Sequence, residues 1–110
     1  IRAGEAGQNA NTTIAIIATD AILTKAQAKR MSIMAHDGFT RALWPSHTPF
    51  DGDLIFAISS SKKALPQRED AFVALGAYAA NTLARAIARG VFEATSAPSD
   101  MFPTWQERFG

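Results

Sequence analysis

Residues 11–18 have the sequence Asn-Thr-Thr-Ile-Ala-Ile-Ile-Ala, in which a threonine pair leads directly into an apolar run, and this stretch decides the predicted fold. A continuous apolar and β-branched run is typical of a strand that is covered on both faces. We therefore predict a first strand from Thr13 to Thr19. A second apolar run predicts another strand from Leu54 to Ile58.

The segment between the two strands carries the signals of a helix. Thr24 and Gln27 have the spacing of a capping box, so this helix is predicted to begin at Lys25, and Trp44-Pro45 is predicted to end it. Two prolines and a glycine make residues 45–53 a structured loop rather than a helix or strand.

The region after the second strand is predicted to be mostly helical. A polar turn is expected from Ser59 to Leu65, and Pro66 suits the first turn of a helix that runs from Gln67 to Arg89 or a little beyond. The many small residues of this helix would let it pack close to a neighbouring element. Beyond Gly90 the chain is predicted to be irregular, with an aromatic tail that needs a partner surface.

A strand, a helix and a strand in this order predict a parallel pair with a crossover, which is an α/β arrangement in which both strands begin at the same edge. Because Thr12 and Asp53 each precede a strand, we expect Thr12 to lie beside Asp53, with Asp51 reaching the same place from the loop. Gly52 would let the backbone bend so that both carboxylates converge.

Thr12 would gain a catalytic function if the Asn11/Thr12 peptide bond were cut. Its hydroxyl and its new α-amino group would then be a nucleophile and a general base on one residue. An α-amine titrates at about 7.7 to 8.0, so it can take up a proton in neutral water. Two nearby carboxylates would stabilise the ammonium form and burial would favour the free amine, so the sequence leaves the protonation of the site open.

The composition narrows the classes of partner. The 11 basic and 10 acidic residues are interspersed and give a net charge of +1, which argues against nucleic acid. No leader sequence is visible and no apolar stretch approaches the roughly 20 residues of a membrane span, so we expect no membrane partner. The absence of cysteine favours a cytoplasmic location. A chain that starts with Ile1 is expected to be part of a longer product, with residues 1–11 as a flexible lead-in.

The motifs of residues 11–59 carry a family resemblance. They are Asn-Thr-Thr-Ile-Ala-Ile-Ile-Ala-Thr-Asp, Lys-Ala-Gln-Ala-Lys-Arg, Ala-His-Asp-Gly and His-Thr-Pro-Phe-Asp-Gly-Asp. Together they resemble the L-aminopeptidase/D-Ala-esterase/amidase family of self-cleaving N-terminal-nucleophile hydrolases, and within it the enzymes that hydrolyse nylon oligomers.

The resemblance implies an αββα four-layer sandwich of which this chain supplies a part. It implies a cut between Asn11 and Thr12, which makes residues 1–11 the segment before the cleavage site and residues 12–110 the small catalytic subunit. Thr12 would be the nucleophile, with Asp51 and Asp53 as the acids around its amine and no cofactor. The implied activity is endo-type hydrolysis of 6-aminohexanoate oligomers through an acyl-enzyme. The implied partners are a large subunit from the same precursor and further large/small pairs in a higher oligomer.

Several alternatives stay open. The same family includes aminopeptidases and D-amino-acid esterases or amidases, and a noncatalytic interaction subunit would never release Thr12. His47, Asp51 and Asp53 could instead share a metal ion. His36 is expected to be a hydrogen-bonded packing residue, and His47 could order the loop that carries the two acids. The serine run 59–61 is expected to be turn chemistry rather than a second nucleophile.

Overall fold

The computed structural model describes residues 11–110, so the predicted lead-in of residues 1–11 lies outside the described residues except for Asn11. Helices and strands alternate as the α/β prediction requires. The elements are β1 (Ile14–Ala21), α1 (Lys25–Ala35), α2 (Asp37–Ala42), β2 (Leu54–Lys63), α3 (Ala71–Glu93) and α4 (Trp105–Phe109).

β1 and β2 form a parallel pair, which confirms the predicted crossover. The register runs from Ile14 opposite Leu54 to Thr19 opposite Ser59, so both strands begin at the same edge. β2 continues to Lys63, and the turn predicted from Ser59 to Leu65 was therefore wrong. The Ser59 hydroxyl bonds to the Ala21 carbonyl across the pair, and the register shifts there so that Ala21 faces Lys63.

The first helix begins as predicted but is divided. The Gln27 N–H donates to Thr24 Oγ1 at 3.1 Å and the Thr24 N–H donates to Gln27 Oε1 at 2.9 Å, which confirms the capping box. A single helix to Trp44 was wrong, because the chain turns at His36 between α1 and α2. The turn brings Gly38 so close to α3 that an added Cβ would collide with the Ala80 carbonyl oxygen.

α3 begins later than the predicted Gln67, and it ends at Glu93, a little beyond Arg89 as predicted. Tight turns occupy the residues before it: the Arg68 N–H donates to the Pro66 carbonyl at 2.9 Å, and the Ala71 N–H donates to the Arg68 carbonyl at 3.2 Å. Pro66 therefore precedes the helix and does not lie in its first turn. The prediction of close packing is confirmed, since an added Cβ at Gly76 would collide with the Met34 side chain.

The aromatic tail is more regular than predicted. Its residues form α4, whose Trp105 ring lies 5.1 Å from the Phe92 ring at the end of α3, measured between centroids. The Gln106 side-chain amide also donates to the Phe92 carbonyl at 3.0 Å. Trp105 and Gln106 thus contact the end of α3, whereas Met101, Phe102 and Phe109 are exposed.

The core lies between one face of the sheet and the helices. Alternation along the strands turns Ile17 and Ile55 toward the helices. The other face stays open: Ile16 is 61% exposed and Phe56 is 58% exposed. The prediction that the strands are covered on both faces is therefore wrong within residues 11–110. The buried core cluster consists of Ile17, Met31, Ala35, Phe39, Ile55, Ala79 and Leu83.

α3 passes the length and composition test for a membrane span, the one helix among residues 11–110 that does so. The sequence-based expectation that no apolar stretch approaches this length was therefore wrong. The same test is also passed by core helices. Because Ala79, Ala80 and Leu83 are buried in this chain, we describe α3 as a helix that packs on α1 and α2.

Candidate active site

The candidate site lies at the edge where both strands begin. Asn11 and Asp51 form a parallel bridge just ahead of the strands. The Asn11 N–H donates to the Phe50 carbonyl at 3.2 Å, and the Gly52 N–H donates to the Asn11 carbonyl at 2.8 Å. Asn11 is therefore hydrogen-bonded to the loop that leads into β2.

Thr12 lies opposite Gly52 in this register, one residue from the expected neighbour Asp53. The nearest atom to a Cβ added at Gly52 would be Thr12 Oγ1, at 3.0 Å. Alternation places the Thr12 side chain on the same sheet face as Ile14, which is the open face. Gly52 therefore leaves space for the Thr12 hydroxyl, a function that the sequence-based reasoning missed.

Asp51 and Asp53 are spaced two residues apart, so they share a face without any special bend at Gly52. Asp53 Oδ1 accepts a hydrogen bond from the Thr13 N–H at 2.9 Å, and the Asp53 side chain is only 5% exposed. Asp51 Oδ2 accepts from the Thr48 N–H at 2.9 Å. The two acids thus fix the loop and the backbone next to Thr12, and neither is hydrogen-bonded to the Thr12 hydroxyl.

Both histidines of the chain extend this group. His47 Nδ1 lies 3.5 Å from Asp53 Oδ2, and His47 Nε2 lies 3.2 Å from His36 Nδ1. The Phe39 ring packs edge-on against both imidazoles. The contact between the histidines was missed, because a loop conformation that no local motif specifies brings them together. The sequence contains one indication of this contact: the two histidines lie on either side of the end of the predicted first helix.

The environment of His36 affects its proton affinity. Burial lowers the pKa of His36 below its ordinary value of 6.5, and the neighbouring His47 acts in the same direction. The carboxylates of Asp53 and Asp37 act in the opposite direction and do not outweigh burial. The neutral imidazole is therefore favoured at His36.

A cleft of about 260 Å³ opens beside the acids. Its lining residues are Asn11, Thr13, Leu43, Trp44, Pro45, Ser46, Asp51 and Asp53. Across residues 11–110, no three His, Asp or Glu side chains converge as a metal site would require. The grouping of His47, Asp51 and Asp53 as metal ligands therefore has no geometric support in the described part of the chain.

Comparison with known proteins identifies the relatives of the chain. The profile of peptidase family S58 matches residues 2–101. Proteins of Mycobacterium bovis and Mycobacterium tuberculosis, each named an uncharacterized aminopeptidase, are 41% identical over 109 residues, covering 90% of this chain and 31% of the relative. A 6-aminohexanoate-oligomer endohydrolase of Kocuria sp. is 32% identical over 59 residues, covering 54% of this chain and 17% of the relative.

These matches support a hydrolase of the family suggested by the sequence motifs. The chain spans about a third of the length of the curated relatives that cover most of it, and the aminopeptidase relatives match far more of the chain than the endohydrolase does.

Proposed function

Because this chain belongs to peptidase family S58, we propose that Thr12 is the nucleophile of a hydrolase that cuts its own chain between Asn11 and Thr12 and then cleaves amide substrates. Residues 1–11 would end the segment before the cut, and residues 12–110 would form the small subunit. The α-amine of Thr12 would act as the general base for the Thr12 hydroxyl, and this amine exists only after the cut.

The contacts of Gly52 are the observation that carries this proposal. Its N–H donates to the Asn11 carbonyl at 2.8 Å, and its Cα borders the space that Thr12 Oγ1 occupies. The carbonyl to be attacked and the hydroxyl that attacks it therefore meet at one residue. A donor already aimed at a carbonyl stabilises the negative charge that develops on its oxygen.

The processing reaction exchanges an amide for an ester and then hydrolyses the ester. Thr12 Oγ attacks the Asn11 carbonyl carbon, the hydroxyl proton passes to the departing Thr12 nitrogen, and the C–N bond breaks. Water then opens the ester, giving an Asn11 carboxylate, a free Thr12 hydroxyl and the Thr12 α-amine. In turnover, the same hydroxyl forms an acyl-enzyme, the α-amine carries its proton to the leaving nitrogen, and water releases the acid.

Asp51 and Asp53 are proposed to bind and orient the Thr12 amine rather than to contact the Thr12 hydroxyl. Asp53 holds the Thr13 N–H, so its carboxylate lies one residue from the nitrogen that becomes the amine. Asp51 accepts a hydrogen bond from the Thr48 N–H, which closes the loop ahead of β2. Their negative charge would bind the new amine and orient its lone pair toward Thr12 Oγ.

The rest of the precursor is proposed to complete the fold. The open face of the β1–β2 sheet exposes large apolar side chains, including Ile16 and Phe56. A second sheet with its own helices on this face would give the αββα sandwich. The large subunit would supply these elements and further donors for the oxyanion.

The bonds to Asn11 favour a substrate with an α-aminoacyl group. The Phe50 carbonyl and the Gly52 N–H engage the N–H and the carbonyl of Asn11, which a single Cα separates. The Phe50 carbonyl and the Gly52 N–H become free when the segment ending at Asn11 leaves. An α-aminoacyl residue of a substrate would bond to both of them again. The names of the relatives that match most of the chain agree with aminopeptidase activity.

Endo-type hydrolysis of 6-aminohexanoate oligomers is the second candidate. It is favoured by the endohydrolase relatives that match about half of the chain. A long methylene chain separates the nitrogen from the carbonyl in this substrate. An extended unit would therefore bond to Gly52 without reaching Phe50.

The experiment uses the full-length precursor and its Thr12→Ala variant. Thr12→Ala should lose both processing and turnover, Thr12→Ser should keep both at a reduced rate, and Thr13→Ala is the matched control that should still be processed. Assays on free and end-blocked peptide amides and 6-aminohexanoate oligomers then separate the two candidates. Turnover by Thr12→Ala would end the proposal.

A further inference from the structure

We propose that His47 is a positioning residue for Asp53 and that, with His36, it forms a pair that shares one proton and makes turnover depend on pH. This inference rests on the proposed function of Thr12. It concerns two imidazoles that neither the nucleophile nor its amine requires.

The backbone of His47 indicates that its position is imposed by the loop. Its φ of 56° lies in the left-handed region, which costs energy for residues other than glycine. Hydrogen bonds between Thr48 and Asp51 close the loop next to it: the Asp51 N–H donates to the Thr48 carbonyl at 3.0 Å, and Asp51 Oδ2 accepts from the Thr48 N–H at 2.9 Å. The loop therefore holds the imidazole against Asp53.

The order of contacts assigns the protons. Asp53 presents a carboxylate oxygen to His47 Nδ1, so the neutral His47 carries its proton on Nδ1 and leaves Nε2 bare. The bare Nε2 accepts from His36 Nδ1, 3.2 Å away. The other oxygen of Asp53 accepts from the Thr13 N–H. A series of polar contacts thus runs from His36 through His47 and Asp53 to Thr13, the residue beside Thr12.

The pair has room for one additional proton. When His47 is protonated on both nitrogens, His36 can shift its own proton to Nε2 and accept at Nδ1. A second proton would set one N–H against another, so the contact between the two rings holds one additional proton and not two. The charged groups that bear on it are Asp53 at the start of β2 and Asp37 at the start of α2, while Asp51 is bonded to Thr48.

Protonation of the pair changes what Asp53 does. A cationic His47 draws the Asp53 carboxylate toward itself and away from the nitrogens of residues 12 and 13. Turnover should therefore fall when the pair gains a proton, in the same direction as protonation of the Thr12 amine. The acid limb of the pH profile then reflects two protons rather than one.

The test compares three variants in the full-length, processed protein. His47→Gly removes the imidazole and suits the positive φ, so its backbone is not strained. His47→Asn places a donor near the Nδ1 position, cannot titrate, and also tolerates this φ. Ser61→Gly is the matched control, because Ser61 has a φ of 55° on β2, away from the site.

We expect His47→Gly to lower kcat roughly 10-fold or more with a smaller effect on KM, because Asp53 loses its orientation. His47→Asn should recover most of that loss, and the acid limb of log kcat/KM against pH should change its slope from about 2 to about 1. Ser61→Gly should match the wild type in rate and profile.

A second measurement needs no catalysis. In ¹⁵N-histidine-labelled protein at high pH, the His47 signal, assigned by its loss in His47→Asn, should show the proton on Nδ1. A proton on Nε2, or an unchanged kcat and pH slope in both His47 variants, would overturn the inference. These results leave the proposed function intact when Thr12→Ala is inactive, whereas turnover by Thr12→Ala removes both.

Discussion

Gly52 lies at the edge where both strands begin, and a side chain there would meet the Thr12 hydroxyl. Its φ is not positive, so conformational freedom does not explain the glycine. Its value lies in close approach, because a Cβ there would stand 3.0 Å from Thr12 Oγ1. The sequence indicated Gly52 as a bend between the two acids, whereas the structure shows it as the residue that leaves space for the Thr12 hydroxyl.

Gly52→Ala should slow self-cleavage roughly 10- to 100-fold, because the added methyl displaces the Thr12 hydroxyl from the Asn11 carbonyl. The rate at which the intact precursor disappears after synthesis measures this effect. Gly90→Ala is the control, since nothing lies within 4 Å of a Cβ there. Equal processing rates for both alanine variants would contradict the assigned role of Gly52.

His36 predicts a pH dependence of stability. Its pKa is lowered from 6.5 in the folded protein by burial and by His47, so the unfolded chain binds more protons at a pH just below 6.5. The free energy of unfolding therefore contains a contribution that is complete above 6.5 and decreases as the pH falls from there toward the lowered folded pKa. Urea unfolding at several pH values should show a weaker dependence in His36→Gln, and an identical dependence would refute this assignment.

The elements show why local signals predicted part of the fold. The capping box at Thr24 and the two apolar runs are local features, and the structure has them where the sequence indicated. The division of the first helix at His36 depends on contact between Gly38 and α3, which no local pattern contains. The extension of β2 likewise depends on Ser59 bonding to Ala21 across the sheet.

The same distinction applies to the site. The crossover topology was sufficient to predict that Thr12, Asp51 and Asp53 lie at the edge where both strands begin. It could not specify the register to one residue, so Gly52 rather than Asp53 lies opposite Thr12. It also could not predict the contact of His47 with His36, which requires the left-handed conformation of the loop.

Gly38 and Gly90 differ in how closely other elements pack against them, so alanine substitutions at the two positions test the contact between α2 and α3. Gly38→Ala should destabilise the fold by about 1–3 kcal/mol, because the added methyl collides with the α3 backbone. Gly90→Ala, in open space on α3, should instead stabilise by about 0.5–1 kcal/mol. Chemical denaturation of both variants measures the difference, and equal effects would contradict the close contact of α2 with α3.

At the scale of the whole molecule, the chain is a thin slab of 49 × 30 × 20 Å with helices on one side of its sheet. The proposed large subunit would cover the opposite side. Phe56 and Val73 are similarly exposed in this chain, at 58% and 66%, but Phe56 is on the open sheet face and Val73 is on α3.

Phe56→Lys in the full-length precursor should therefore prevent assembly of the two fragments, because the charge would be buried against the proposed large subunit. Val73→Lys should be tolerated. Copurification of the two fragments after processing measures assembly. Normal assembly of Phe56→Lys would show that the large subunit does not cover this face.

The mass of the two products of the purified wild-type precursor tests the central claim most directly. Cleavage at the Asn11/Thr12 bond predicts a fragment whose first residue is Thr12, with a free α-amine, and a partner that ends in Asn11. An active protein in which this bond is intact would contradict the account.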